Sequence, residues 1–436
     1  MRLLYDILTV MVALVLLPYG ILKGLPYGLA VRGTLERFAH YPRSVKKLLR
    51  EKRVILIHAV SVGEVLAAVP LIRKLKSEHP QHFLVLSTTT FTGRHVAAQI
   101  EEIGLLVFFP LDLGLIMRRF MRRLHPELVL IVETELWPNF LRLIRRRNIP
   151  LLLVNGRISK RSFSRYRRVR FLVRPMLKAF TAFCMQDNIC ARRIKALGAA
   201  EKRVLVTGNV KFDVASNLSE HAAAPELQKI LAPGGYVWVG GSTRTGENEI
   251  LLDCHRQLLE RGIPSFLVLA PRHPRRFDAV ADLLNKSNVA FVRRSEWLLS
   301  PPPLGYSVLL LDTMGELDQV YELAEVVFVG GSLVPLGGHN LLEPARSGKP
   351  VLHGPHMANF MEIAKLLKEA GASQRVDNPE DLLLQLELLY ADPALRTKMG
   401  SNGRMMIEKN AGATLKTLEQ IRPLLRSPDE QAGKSA

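Results

Sequence analysis

The sequence has few cysteines and no pattern that would join them. Its 436 residues include only Cys184, Cys190 and Cys254, which form neither a CxxC pair nor a metal-ligand spacing. This excludes a disulfide-stapled fold and a zinc module of the usual spacing, so we expect buried, inert thiols in a reducing compartment. A D-x-D motif is also missing. Nothing in the sequence therefore indicates a metal ion or another cofactor.

Acidic residues are missing from a long central stretch. No Asp or Glu occurs between Glu135 and Asp187, and the whole chain has a formal net charge of +20. A run of one charge is usually a solvated face, but the lack of acidic partners favours contact with a polyanion. Aromatic residues are sparse and no nucleic-acid-binding module is present, so an anionic membrane surface or a phosphorylated lipid headgroup fits better than nucleic acid. The basic residues of this stretch are Arg142, Arg145, Arg146, Arg147, Arg157, Lys160, Arg161, Arg165, Arg167, Arg168, Arg170, Arg174 and Lys178.

The N-terminus contains an uncharged apolar run from Ile7 to Leu22. The run is short for a membrane span, but the mostly apolar segment that follows extends it. No small-x-small cleavage site follows, which favours an uncleaved anchor over a signal peptide. Only Arg2 precedes the run while many basic residues follow it, so the positive-inside rule places the rest of the chain in the cytoplasm. A buried core helix is the alternative. We predict a membrane anchor over residues 1–30.

Apolar strands alternate with helices along the rest of the chain. This rhythm predicts α/β domains with doubly wound parallel sheets and sites at the carboxyl ends of the strands. A loop-rich region around 216–233 predicts a division into one domain over 31–222 and another over 223–436. The predicted strands are residues 54–60, 84–87, 128–132, 151–154, 204–206, 236–239, 266–269, 308–311, 326–329 and 350–352.

Three carboxylates follow strands of the first half. Glu64 closes a Ser61-x-x-Glu64 pattern, which is either a helix-capping box or a base placed to take a proton from a sugar hydroxyl. Glu133 and Glu135 follow another strand and would point to opposite faces if that strand continued. We expect the three to converge on one edge of the sheet.

A glycine-rich turn stands out in the second half. The strand at 326–329 ends in Gly330 and Gly331, and His339-Asn340 leads into a short helix. Glycines permit close approach of a ligand to the backbone, and a helix N-terminus favours a phosphate. Glu343 could accept hydrogen bonds from a ribose, and Arg272 suits a phosphate. A plain tight turn and a surface arginine are the alternatives.

Seven segments in chain order resemble the lipid A Kdo transferases (3-deoxy-D-manno-octulosonic acid transferases), a GT-B glycosyltransferase family. The resemblance covers roughly residues 50–420, and Gly156 and Ile158 depart mildly from the family's expected Ala and Leu. The segments are SVGE (61–64), ETELWPN (133–139), NGRIS (155–159), GNVKFD (208–213), PR (271–272), MGE (314–316) and GGSLVPLGGHNLLEPA (330–345).

The resemblance implies two facing Rossmann-like domains with an interdomain cleft, the last helix packing back on the first domain. It implies transfer of Kdo from CMP-Kdo to a phosphorylated lipid A precursor (lipid IVA) in lipopolysaccharide core biosynthesis, by an inverting single displacement at the cytoplasmic face of the inner membrane. Glu64 would be the general base, Glu133 and Lys211 would stabilise the transition state, and Glu135 would support them. CMP contacts would come from Pro271, Arg272, Met314, Gly315, Glu316, Asn340, Leu341, Leu342 and Glu343, and acceptor contacts from Ser61, Gly63, Thr90 and Arg157.

Two other functions remain open at this stage. A different GT-B enzyme would share the fold but use another donor, and competition by CMP against UDP would separate the two. A non-catalytic, membrane-associated binder of nucleic acid would explain the net charge of +20. It would bind RNA or DNA with a strong dependence on salt and would give Glu64 no role.

Overall fold

A computed structural model of the chain describes residues 5–7, 9–12, 14, 30–217, 225–231, 235–297 and 304–425. These residues group into two compact units. The first runs up to Val214 and includes the residues from Ala411 onward, and the second is Ala215–Asn410. The division falls slightly before the boundary drawn from the sequence at 222/223.

The first unit contains a seven-stranded, fully parallel sheet in the order β3-β2-β1-β4-β5-β6-β7. Its strands are almost entirely apolar because helices cover both faces. The strand order reverses between β1 and β4, which is where ligands bind in open α/β sheets. The strands are β1 Arg53–His58, β2 His82–Thr88, β3 Leu105–Phe108, β4 Pro126–Val132, β5 Leu151–Gly156, β6 Ala182–Met185 and β7 Val204–Val206.

The helices of the first unit cover both faces of the sheet and close two cores. They are α1 Ala30–Arg37, α2 Arg43–Leu49, α3 Val62–Glu78, α4 Phe91–Ala97, α5 Gly114–Leu124, α6 Pro138–Arg146, α7 Lys160–Arg168, α8 Arg170–Leu177, α9 Asn188–Leu197 and α10 Val210–Asn217, which extends past the division at Val214, and a 3-10 turn lies at Glu201–Arg203. Phe120 and Phe140 lie in the core on one face of the sheet, and Leu71 and Ile72 lie in the core on the other.

The second unit contains another seven-stranded parallel sheet, in the order β10-β11-β9-β8-β12-β13-β14. Here the order reverses between β8 and β12. The elements are α11 Pro225–Leu231, β8 Tyr236–Thr243, α12 Glu247–Glu260, β9 Ser265–Pro271, α13 Phe277–Lys286, β10 Phe291–Arg293, β11 Val308–Leu310, α14 Leu317–Leu323, β12 Val326–Val329, α15 Leu342–Arg346, β13 Val351–His353, α16 Met361–Glu369, β14 Ser373–Arg375, α17 Pro379–Ala391 and α18 Pro393–Asn410, with 3-10 turns at Pro274–Arg276 and Arg294–Glu296.

The final helix, α19 (Ala413–Leu425), belongs to the first unit although it comes last in the chain. The buried carboxylate of Asp213 accepts hydrogen bonds from the backbone amides of Gly412 at 2.6 Å, Ala413 at 3.3 Å and Thr414 at 2.5 Å. These amides begin the helix and have no intrahelical partner. Leu418 and Ile421 then pack into the same core as Leu71.

All ten strands predicted from the sequence are present, most with ends shifted by one to four residues. The prediction missed four short strands, β3, β6, β10 and β14. Three of them, β3, β10 and β14, lie at sheet edges. An edge strand has a neighbour on one side only, so it carries fewer apolar residues, and β14 consists of Ser-Gln-Arg.

The predicted membrane anchor falls mainly on residues 15–29, which lie outside the described residues. Among the residues that are described, no helix has both the length and the apolar character needed to cross a membrane.

Candidate functional site

A cavity of about 230 Å³ lies at the point where the strand order of the first sheet reverses. The segments after β1 and β4 bring carboxylates to it, and the start of α7 closes it. Among the lining residues, one arginine is the only cation beside three carboxylates, and the remaining side chains all carry hydroxyl groups. The lining residues are Glu64, Glu133, Thr134, Glu135, Arg157, Ser159, Ser162 and Tyr166.

Glu64 is held rigidly at the start of α3. One carboxylate oxygen accepts a hydrogen bond from the Val60 amide at 2.8 Å, and the other accepts from the Ser61 hydroxyl at 2.9 Å. The Glu64 amide in turn donates to the Ser61 oxygen at 3.4 Å. This is a capping arrangement, and yet Glu64 also lines the cavity. Since a carboxylate oxygen can accept a second bond, capping and proton transfer are compatible at this residue.

Glu133 and Glu135 both line this cavity. The sequence placed them on opposite faces only if the strand continued, and β4 ends at Val132. Glu133 then adopts a left-handed backbone conformation with φ of 58°. This conformation is strained for a residue other than glycine, and residues strained in this way cluster at functional sites. This turn removes the two-residue alternation and brings both side chains to one side.

Burial and nearby negative charge raise the pKa of two of these carboxylates, Glu135 and Glu64. Burial, followed by the charges of Glu64 and Glu133, raises the pKa of Glu135 to about 7. Burial also raises the pKa of Glu64, with a smaller contribution from Glu133. A Glu135 that exchanges its proton near neutral pH limits the negative charge of the cavity while Glu64 accepts a proton.

The raised pKa of Glu135 predicts a pH-dependent stability. The folded protein keeps the proton up to about pH 7, whereas the unfolded carboxyl releases it near its usual, lower pKa, so the free energy of unfolding falls as pH rises through this window. Glu135→Gln removes the effect. Relative to the unmodified protein, the variant should gain roughly 1–3 kcal/mol between pH 5 and pH 8, measured by denaturant unfolding. Exposed Glu101→Gln is the control, and an equal difference at both pH values would contradict the assignment.

A buried amide network ties the Asn155 turn to the Lys211 segment. Asn155 accepts from the Val210 amide at 3.2 Å and, through its carbonyl, from the Gln186 side chain at 3.1 Å. Asn209 donates to Gln186 and accepts from the Lys211 amide. Lys211 itself is not among the residues lining the cavity. Sequence reasoning quoted Asn155 and Asn209 within motifs but gave them no role.

The predicted acceptor-side residues have different surroundings. Ser61 caps α3, and Arg157 lines the cavity while its carbonyl accepts from the Thr134 hydroxyl at 2.6 Å. The Cβ position of Gly63 faces open space. Thr90 is a helix cap: its hydroxyl accepts from the Gly93 amide and donates to the Val60 carbonyl.

In the second unit, the glycine-rich turn after β12 is held by a buried carboxylate that the sequence did not single out. Glu247, fully buried at the start of α12, accepts hydrogen bonds from the amides of Gly331 at 2.7 Å, Ser332 at 3.0 Å and Leu333 at 3.0 Å. It also accepts from the Arg244 amide at 2.9 Å. The amides of Gly331, Ser332 and Leu333 are therefore already bound to a carboxylate and are not available to an anionic ligand.

The predicted nucleotide residues lie on loops at the carboxyl edge of the second sheet. Pro271 ends β9, and the amide of exposed Arg272 donates to the Thr243 carbonyl at 3.1 Å. Glu343 accepts from the Asn340 side chain at 2.9 Å, and burial raises its pKa. Leu341 and Leu342, at the start of α15, are buried. On the loop after β11, Met314 is exposed, Gly315 has φ of 89° and Glu316 pairs with Arg294.

Sequence reasoning missed a basic cluster at this same edge. Arg244 follows β8, and its Nη1 is hydrogen-bonded to Nε2 of His273, which follows β9. His339 lies on the loop after β12, and burial together with the nearby charges of Arg272 and Arg244 lowers its pKa. The available signal was positional, since Arg244 and His273 come directly after strand ends and His339 lies on the glycine-rich loop that follows β12.

Comparison with known proteins gives a consistent picture. A family model described as "3-Deoxy-D-manno-octulosonic-acid transferase (kdotransferase)" matches residues 32–214. The 3-deoxy-D-manno-octulosonic acid transferase of Haemophilus influenzae is 38% identical over 85% of this chain and 87% of its own length. The protein of the same name from Bordetella pertussis is 33% identical over 84% of this chain and 86% of its own.

Solved structures show the fold. The UDP-GlcNAc 2-epimerase from Neisseria meningitidis has a TM-score of 0.58 at 14% identity and covers 85% of this chain and 100% of that one. A glycosyltransferase from Rickettsia africae has a TM-score of 0.56 at 15% identity, covering 86% and 100%. Both resemble this chain in its two parallel-sheet α/β units, as in GT-B glycosyltransferases.

Proposed function

The chain belongs to the 3-deoxy-D-manno-octulosonic acid (Kdo) transferase family, and from that premise we propose that it transfers Kdo from CMP-Kdo to a phosphorylated lipid A precursor, lipid IVA, in lipopolysaccharide core biosynthesis. The observation that carries this proposal is the cavity in which Glu64, Glu133 and Glu135 meet. A sugar hydroxyl is a weak nucleophile, and a fixed carboxylate at its proton is what the transfer needs.

In the proposed mechanism, Glu64 removes the proton from the 6′-hydroxyl of the acceptor's glucosamine disaccharide. The oxygen forms a bond to the anomeric carbon of Kdo, the bond from that carbon to the phosphate oxygen breaks, and CMP leaves with the electron pair. The configuration is inverted in this single displacement. Two hydrogen bonds fix the Glu64 carboxylate, so little reorganisation accompanies proton transfer.

The other carboxylates have supporting roles in this proposal. Glu133 would stabilise the positive charge that develops at the anomeric centre. Glu135, with a pKa of about 7, would exchange its proton near neutral pH and so limit the negative charge beside Glu64. Arg157 offers the cavity a cation for an acceptor phosphate. Lys211 is proposed to stabilise the leaving phosphate on the family resemblance alone.

The second unit is proposed to bind the donor nucleotide. Arg272 would hold the phosphate as a bidentate donor, and the carboxylate of Glu343, oriented by Asn340, would accept from the ribose hydroxyls. Pro271, Leu341, Leu342 and the 314–316 turn would line the cytidine. No metal ion or other cofactor is part of the mechanism.

The test is a transfer assay with the full chain, lipid IVA, CMP-Kdo and excess EDTA, with products identified by mass. A mass gain of one or more Kdo units is the expected result. Product that appears only with magnesium would refute the metal-free step. No product from folded protein under either condition, together with competition by UDP but not CMP in a binding assay, would indicate another donor.

An anionic membrane surface is the second proposed partner, with the enzyme on the cytoplasmic face of the inner membrane. Arg118 on α5 and Arg142 and Arg146 on α6 line one small cavity, and within the described ranges none of the three has a carboxylate partner. Asp6 of the N-terminal segment accepts from Asn139 in the same cavity. Next to it in the chain, Ile7, Met11 and Leu14 are exposed, and apolar residues beside arginines suit a bilayer interface.

Removing this charge should weaken binding to anionic vesicles. The triple variant Arg118→Gln, Arg142→Gln, Arg146→Gln should bind vesicles containing phosphatidylglycerol about 10- to 100-fold more weakly, because each basic residue near the surface contributes about 1 kcal/mol. Flotation or surface plasmon resonance measures the affinity. The control replaces three exposed lysines of the second unit, Lys286, Lys398 and Lys409, by Gln. An equal loss of vesicle affinity in the control variant would show that only the net charge matters and not this cluster of arginines.

A further inference from the structure

Three adjacent strands of the second sheet direct basic side chains to one edge. The strands are β9, β8 and β12, in that order, and the residues that follow them are His273, Arg244 and His339. The reversal of strand order between β8 and β12 makes this edge a ligand-binding position in an open α/β sheet.

The glycines of the turn allow this cluster to form. A Cβ on Gly331, whose φ is 69°, would lie 3.0 Å from the His339 ring and 3.6 Å from the Arg244 side chain. A Cβ on Gly330 would lie 2.6 Å from the Thr243 backbone. The two glycines therefore let the turn pack closely against the end of β8, with the side chains of Arg244 and His339 both beside Gly331.

The orientation of Arg244 is fixed from both ends. Its backbone amide is bound by the Glu247 carboxylate at 2.9 Å, and its guanidinium is bound by Nε2 of His273. An acceptor role for that nitrogen requires neutral His273, and burial together with Arg244 and Arg272 lowers the pKa of His273. The guanidinium is thus placed without help from a carboxylate.

The positive charge of this cluster is not neutralised by the protein. Burial, then the charges of Arg272 and Arg244, lower the pKa of His339 to about 4, so this ring is neutral near pH 7. Glu247 uses both oxygens on four backbone amides. Across the part of the chain that the structure describes, Arg244 forms no ion pair with an Asp or Glu. A half-buried guanidinium without an acid partner is stabilised by a bound oxyanion.

We propose that Arg244, oriented by His273 and flanked by His339, is a second oxyanion-binding subsite for the donor, distinct from Arg272. This inference rests on the proposed function. A CMP-activated sugar acid has two anionic groups, the phosphodiester and the carboxylate, and two guanidinium groups on neighbouring strands can bind one each. Arg272 alone would not distinguish a sugar acid from a neutral sugar with the same nucleotide.

The experiment compares Arg244→Gln and Arg244→Lys with Arg275→Gln, which removes the same charge from an exposed position in the neighbouring 3-10 turn. The readouts are the KM for CMP-Kdo, kcat, and the inhibition constant of CMP, with melting temperature as the check on folding. Arg244→Gln should raise the KM about 10- to 100-fold, the usual range for loss of a charge-assisted contact. Arg244→Lys should recover part of the loss, and Arg275→Gln should change the KM less than twofold.

The inhibition constant of CMP identifies the oxyanion. If it is unchanged in Arg244→Gln, the subsite binds the sugar carboxylate, and if it rises together with the KM, the subsite binds the phosphate. A KM and an inhibition constant that both stay within twofold of the unmodified protein would overturn the proposal. Failure of the proposed function would look different, because the unmodified protein itself would then not turn over CMP-Kdo.

Discussion

Replacing Glu64 by Gln should reduce the transfer rate by roughly 10²- to 10⁴-fold, the usual contribution of a general base. Gln has nearly the same shape and cannot take a proton from the acceptor hydroxyl. The loss should appear in kcat, since the substitution leaves the substrate-binding surfaces in place. Single-turnover kinetics with saturating CMP-Kdo measures it directly.

The same variant should remain as stable as the unmodified protein. The Gln oxygen can accept from the Val60 amide, and its amide nitrogen can donate to the Ser61 hydroxyl, so the cap that Glu64 provides in the structure is kept. Removing a carboxylate whose pKa is raised by burial also relieves desolvation. Glu64→Ala serves as the contrast, because it removes the cap as well and should cost about 1 kcal/mol.

Exposed Glu101→Gln is the matched control and should leave the transfer rate unchanged. If Glu64→Gln keeps more than a tenth of the unmodified rate while remaining folded, Glu64 is only a cap and another residue must be the base. Glu135, with its pKa of about 7, would then be the next residue to replace.

Replacing Glu247 by Gln should destabilise the second unit by about 3–5 kcal/mol. The carboxylate is fully buried and accepts from four backbone amides. Gln keeps one accepting oxygen, and its amide group would face the remaining N–H donors, each of which costs about 1–3 kcal/mol when buried without a partner. The glycine-rich turn should also become more mobile, because the Glu247 carboxylate binds three of its backbone amides.

Two measurements separate this local effect from a general one. Denaturant unfolding gives the loss of stability, and hydrogen exchange should show lost protection at the amides of Gly331, Ser332 and Leu333. Glu249→Gln, two residues further along α12 and exposed, should change stability by less than about 0.5 kcal/mol. A loss below about 1 kcal/mol in Glu247→Gln, with protection retained, would contradict the role assigned to this carboxylate.

The sequence predicts the structural features that depend on short, regular patterns of apolar residues. Buried parallel strands are nearly continuous apolar runs, so β1, β4 and β12 stand out, and the residues that follow such strands must meet at one edge. On this ground the sequence predicts that Glu64, Glu133 and Glu135 share one edge, and all three line the same cavity.

The remainder depends on contacts that no local pattern encodes. The left-handed turn at Glu133 is set by how the segment after β4 packs, and its sequence does not contain the glycine that usually marks such a conformation. Glu247 lies 84 residues from the Gly331 amide it binds, and Arg244 lies 29 residues from His273. Alternation of strands and helices predicts that such residues share an edge, but it does not predict which of them bond.

The position of α19 has a consequence for how the chain is made. Protein synthesis delivers residues in order, and domains tend to fold as they emerge from the ribosome. Leu418 and Ile421 complete a core whose other residues come far earlier in the chain. The Asp213 carboxylate binds backbone amides about two hundred residues downstream. The first unit therefore begins translation first but can finish its core only after the whole second unit has left the ribosome. The second unit can therefore complete its folding during synthesis while the first unit still lacks its last helix.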